Sequence, residues 1–185
     1  MTYSLLPERI VHQPVELEKE SIEYVDHIVP LQFEEVYSLN DFVVPDLISE
    51  SNITCLIQNA YFEARNQTDE AIMGVIMVVL NRVHGDNYPS NVCDVIHQGY
   101  TDSRGNIIRD MCQFSWYCDG KPDHMYDRYS FLHMEGLVYK SLWLWYNGVD
   151  ITNRSTHYHS NSVKPDWGNK LTYTMHIGDH IFYKN

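Results

Sequence analysis

Ala71-Ile72-Met73-Gly74-Val75-Ile76-Met77-Val78-Val79-Leu80 runs ten residues without a polar side chain, and its reading as helix or strand decides the fold. Its β-branched content favours a strand, but a buried strand of that type usually spans only about 4–8 residues. The flanks favour a helix: Thr68 can cap the first turn, Asp69 and Glu70 suit its positive end, and Asn81-Arg82 gives a polar exit. A helix apolar on every face belongs at the centre of a core. It cannot span a bilayer, which needs about 20 apolar residues, so membrane insertion is not expected.

Upstream, Ile53, Leu56, Ile57, Ala60, Tyr61 and Ala64 recur at steps of three and four, predicting a second helix from about Ser49, with Ser51 as its N-cap. At 100° per residue Glu63 falls about 80° from the centre of that stripe, near the last turn. A carboxyl so placed can enter a cleft while its helix stays anchored. Downstream, Pro89-Ser90 opens a short helix to Ile96, stopped by Gly99. Tyr100 to Asp127 holds no sustained period and reads as a long loop, a kind of segment that is usually functional or disordered. Ser130 caps a further helix with Phe131, Met134, Leu137, Val138, Ser141, Leu142 and Trp145 on one face, ending at Asn147-Gly148. Then the period becomes two: Thr172–Ile177, a Gly178-Asp179 turn and His180–Tyr183 predict a hairpin, and His157–His159 a further strand. The expected class is α+β, a helical core followed by a small C-terminal antiparallel β-sheet.

Charge divides the chain differently. Of the formal net charge of -12, residues 1–50 contribute 11 acids against 2 bases. Four of the seven prolines lie within residues 1–48. We read residues 1–48 as an acidic, extended arm whose partner the sequence does not identify, and residues 49–185 as a folded domain that carries whatever chemistry the chain performs. No basic stripe is visible, so nucleic acid is not an expected partner. The near-neutral body is repelled less by an anionic polymer than the arm is. Met1 to Pro14 lacks a basic segment followed by an apolar run, so no secretory signal is expected. Of the cysteines, Cys112 and Cys118 can close a short disulfide loop or remain thiols, whereas Cys55 and Cys93 sit on apolar helical patterns and read as ordinary buried thiols.

The order of the polar motifs narrows the function. Asn59-Ala-Tyr-Phe-Glu-Ala-Arg65, Val79-Leu-Asn-Arg-Val83, Cys112-Gln-Phe-Ser115 with Cys118-Asp-Gly120, Thr156-His-Tyr-His159, Trp167 and Ile177-Gly-Asp-His-Ile-Phe-Tyr183 together resemble the SleB/CwlJ-type cell wall hydrolase family, over residues 52–184. The resemblance implies a lysozyme-like core that cuts peptidoglycan glycan strands between N-acetylmuramic acid and N-acetylglucosamine, often as a lytic transglycosylase, with Glu63 as general acid and then base. It also implies cleft roles for Gln113, Phe114 and Ser115. Tyr158 becomes a candidate to orient Glu63, and His157 and His159 candidates to bind sugar or brace their strand. No cofactor is required. Without a signal, such a protein could be a phage endolysin held in the cytoplasm until it reaches the wall, or a bacterial enzyme exported by another route.

Three other readings compete. Glu63 can pair with Arg65 or another arginine as a surface ion pair. A zinc amidase or peptidase would gather His157, His159, His180 and Glu63 about a metal, although no established zinc spacing is present. A non-catalytic wall-binding or virion module would keep the aromatic cleft without needing the acid. If hydrolysis requires a second carboxylate, Asp119, Asp123, Asp127 and Asp166 are the loop acids to consider.

Overall fold

The computed structural model describes residues 49–185, so the acidic arm read over 1–48 lies outside the described residues. The apolar run is helical. It lies in α2, Asp69–Val83, within which every residue from Ala71 to Leu80 is buried. Thr68 caps α2 by accepting the Ala71 N–H on its hydroxyl at 3.4 Å. Two helices pack on it, α1 (Glu50–Ala64) and α4 (Arg128–Tyr146), with the short α3 (Val92–Ile96) against α1 and α2. Burying Leu56, Ile72, Ile76, Leu80, Ile96 and Leu142 at that junction removes each from water, a gain of about 1.5–3 kcal/mol per side chain before entropy is counted. Among the described residues no helix is long and apolar enough to cross a membrane.

Thr68 is an N-cap as expected, and the other two expected caps shift upstream. Ser49, not Ser51, caps α1 by accepting the Asn52 N–H at 3.2 Å. The earlier start carries Asn52, 2% exposed, onto the buried face. Asp127, not Ser130, caps α4: its carboxylate accepts the Tyr129 N–H at 3.0 Å and the Ser130 hydroxyl as well. An ionised acceptor at a helix start also meets the positive end of the helix dipole. The expected stop holds, with Asn147 as C-cap and Gly148 at φ 77°.

The segment read as a loop from Tyr100 to Asp127 contains structure. β1 (Gly99–Thr101) and β2 (Ile107–Cys112) form an antiparallel hairpin, followed by a 3-10 turn at Ser115–Cys118. Ile107, Ile108 and Met111 remain 38%, 37% and 47% exposed. With neither face of the hairpin buried, its sequence carries no alternation to read. Asp102 builds the turn by accepting the Arg104 and Asn106 N–H groups at 2.8 and 2.9 Å.

The cysteines form two disulfides. Cys112–Cys118 closes the short loop, and Cys55–Cys93 joins α1 to α3 with Cα atoms 5.5 Å apart. The expectation of buried thiols at 55 and 93 is therefore corrected. Each cysteine fits its own helix as an apolar residue, and only the packing of α3 on α1 brings the two sulfurs together.

The C-terminal strands β3 (His157–Ser160), β4 (Thr172–Ile177) and β5 (His180–Lys184) form an antiparallel sheet in the order β3-β5-β4. Gly178, at φ 57°, makes the expected turn between β4 and β5. The sheet docks through Phe182, fully buried, whose ring lies over Gly74 of α2. A Cβ at position 74 would stand 2.7 Å from the tip of that ring, which explains the glycine inside the apolar run.

Candidate active site

Docking of the sheet on the helices brings together two residues 95 positions apart. Glu63 occupies the last turn of α1, and the Tyr158 hydroxyl, carried by β3, donates to its Oε2 at 2.8 Å. Strand alternation makes this pairing possible and also divides β3. Tyr158 shares its face with His180 and Phe182, at ring separations of 5.0 and 5.8 Å. His157 and His159 take the other face, where both lie against Trp167 at 5.6 and 5.5 Å. There His159 stacks on Tyr183, with Nε2 3.0 Å from its hydroxyl. Of the strand residues singled out from sequence, Tyr158 meets Glu63. His157 and His159 brace the opposite face.

Burial raises the pKa of Glu63, because an ionised carboxylate loses more hydration than a neutral carboxyl. The Tyr158 hydrogen bond and the positive charge of Arg82 oppose this in part, and the net direction is upward. The Tyr158 hydroxyl is itself held well above the ordinary phenol range, by burial and by the neighbouring carboxylate. It stays protonated and donates. Arg65 does not pair with Glu63: its guanidinium lies 4.7 Å from the centre of the Tyr61 ring, and no ion pair among the described residues involves either group.

The disulfide-closed loop flanks the end of α1. Phe62, next to Glu63, stacks on Trp116 at 4.9 Å, and the Trp116 indole donates to Asn59 Oδ1 at 3.0 Å. Burial alternates along the loop: Gln113 and Ser115 are exposed, while Phe114 is 2% exposed and packs into the core. A ring so deeply buried offers no face to a sugar, so Phe114 supports the loop and leaves presentation to its neighbours. Trp116 was not singled out from sequence because a loop ring reads equally well as an anchor, and anchoring is the role its hydrogen bond to Asn59 gives it.

Arg82 was also missed. It lies 5% exposed beneath the site, with Nε donating to the Thr156 carbonyl at 2.7 Å and its guanidinium over the Phe114 and Tyr88 rings at 5.3 and 5.5 Å. From sequence it was only the polar exit of α2. The available signal was its position: one turn past Val78 and two past Gly74, it shares the face of α2 on which the sheet docks.

Among the described residues no three histidine, cysteine, aspartate or glutamate side chains gather as a metal ligand set. The arrangement is a neutral-leaning carboxyl with a phenol donor, an aromatic wall and exposed amide and hydroxyl groups nearby. Such an arrangement can hold a proton and donate it.

The chain is similar in fold to two solved structures. One is the catalytic domain of the germination-specific lytic transglycosylase SleB from Bacillus anthracis, 23% identical, matched over 76% of this chain and 100% of that one with a TM-score of 0.57. The other is the catalytic domain of the Bacillus cereus SleB protein, also 23% identical, matched over 74% and 91% with a TM-score of 0.54. No curated protein sequence matches. The family model for Cell Wall Hydrolase matches residues 66–183, a span that holds Arg82, the disulfide-closed loop and Tyr158 and begins just after Glu63. With that model covering well over half its length, the chain belongs to the cell wall hydrolase family.

Proposed function

We propose that this cell wall hydrolase cleaves the β-1,4 bond from N-acetylmuramic acid to N-acetylglucosamine in peptidoglycan, as a lytic transglycosylase with Glu63 as its single acid and base. The observation that carries the reading is the partly buried Glu63 carboxyl, inclined to keep its proton and oriented by the Tyr158 hydroxyl at 2.8 Å. In the first step the carboxyl protonates the glucosamine O4 as its bond to the muramic acid C1 breaks. In the second, the muramic acid 6-hydroxyl attacks C1 while the Glu63 carboxylate accepts its proton, which leaves a 1,6-anhydro end. The attacking group belongs to the substrate, so geometry replaces a second catalytic carboxylate and an activated water.

Two of the loop acids considered as a second carboxylate, Asp119 and Asp127, are engaged elsewhere. Asp119 accepts the Lys121 ammonium at 3.0 Å, and Asp127 is committed to capping α4. Gln113 and Ser115, both exposed, are the residues we propose to contact the glycan. Amidase chemistry would need His157, His159, His180 and Glu63 to converge, and β3 turns the first two away from Tyr158. The substrate lies in the cell wall, and we place the enzyme's action there, in line with an endolysin-like route. Mass spectrometry of digested sacculi tests the reading. Anhydro-muropeptides are the expected products; reducing-end disaccharides would replace transglycosylation with hydrolysis, and free stem peptides would remove the glycosidase reading altogether.

A further inference from the structure

Arg82 is buried more deeply than a strut requires. No other Asp, Glu, Lys or Arg among the described residues is buried. Its Nε holds the Thr156 carbonyl, two residues before Tyr158, and two rings cover the guanidinium, yet Nη1 has neither solvent nor a hydrogen-bond partner. A buried guanidinium with an unpaired N–H is costly and persists where an opposite charge or a functional geometry compensates it. The acidic groups within its electrostatic reach are Glu63, Tyr158 and Tyr88, and Glu63 is the only carboxyl of the three.

We propose that Arg82 is a positioning residue for Glu63: it fixes the start of the strand that carries Tyr158, seats Phe114 beneath the loop, and steadies the Glu63 carboxylate formed after the first proton transfer. The proposal rests on the reading of Glu63 as acid and base. A glutamate enclosed only by apolar walls holds its proton well but resists becoming the base that the second step needs. The Tyr158 hydrogen bond and the Arg82 charge both act against that resistance. Among the described residues, Arg82 is the one charge that shifts Glu63. On α1, Arg65 keeps its charge but lies over the Tyr61 ring. From the sheet, the pKa of His157 is lowered by burial and by Arg82, and that of His180 by burial, so both favour the neutral ring.

The test compares Arg82→Met, Arg82→Gln and Arg82→Lys with the parent in the full chain, reading kcat and KM on soluble glycan strands across pH, with a melting curve for each variant. Arg82→Met is expected to lower kcat about 100-fold with KM little changed, the order of loss that a misplaced reacting group produces. The high-pH limb of kcat/KM is expected to move to higher pH, because without the cation Glu63 keeps its proton longer. Arg82→Lys restores the position of the limb while kcat stays below parental. Should Arg82→Met not fold, Arg82→Gln, which retains an N–H for Thr156, carries the same comparison. A folded neutral variant whose limb stays at the parental pH overturns the proposal, since a purely structural strut would lower the melting temperature without moving it. Glu63→Gln run in parallel separates the two claims. If that variant is inactive, an unmoved limb defeats only the role of Arg82; if it is fully active, the reading of Glu63 itself fails.

Discussion

Burial raises the pKa of Glu63 while Tyr158 and Arg82 limit the rise, and upward is the direction that the proposed general acid needs. The sign of each contribution gives a result to measure. Tyr158→Phe removes a hydrogen bond that favours the carboxylate, so the high-pH limb of kcat/KM should move upward in pH as kcat falls about 10- to 100-fold; a limb moving downward would contradict the assignment. Stability carries the same signature. Because the folded pKa of Glu63 lies above its usual value of 4.5, its contribution to folding is complete below that value and is lost as pH rises through the folded pKa. Glu63→Gln should therefore gain melting temperature over the parent at pH 8 and gain less at pH 4; equal differences at both would show an ordinary surface carboxyl. The position of Glu63 was legible because helical phase places a residue on a face. The sides taken by His157 and His159 were not, because alternation gives two faces without naming the one that meets the core. Arg82 was missed because a charged residue after an apolar run reads as a helix end.

At the scale of elements, the same helix that fixes the core also seats the sheet. Gly74→Ala puts a methyl where the Phe182 ring already lies, and that ring is fully buried with little room to withdraw. A loss of about 1–3 kcal/mol in urea unfolding is expected; an unchanged midpoint would mean the sheet docks more loosely than this contact implies. The disulfide-closed loop makes a separate prediction. Cys112→Ser frees a loop whose bonded cysteines stand at a sequence separation of 6, so it should lower turnover more than it lowers the melting temperature, as measured on one preparation of sacculi. Helices α1, α2 and α4 and the final hairpin were legible because each buries one face or all faces, and burial imposes a period. The β1–β2 hairpin buries neither face and was unreadable for that reason. Its Asp102 turn depends on side-chain hydrogen bonds that composition does not disclose.

Across the whole molecule, the sequence indicated helices first and a small sheet last, but not how distant pieces meet. Cys55 and Cys93 are separated by 38 positions and join only because α3 packs on α1. Two disulfides suit a protein that works outside a reducing cytoplasm. Alkylation without reductant, read by intact mass, should leave all four sulfurs unlabelled, and labelled Cys55 and Cys93 would restore the reading of buried thiols. At this scale the fold brings the end of α1 against β3, and the purpose we propose for it is to face one protonated carboxyl toward a glycosidic oxygen. Treatment of purified sacculi with Glu63→Gln beside the parent tests that purpose most directly. The variant should still bind the sacculi and release no soluble muropeptide; release at the parental rate would show that the proton comes from elsewhere.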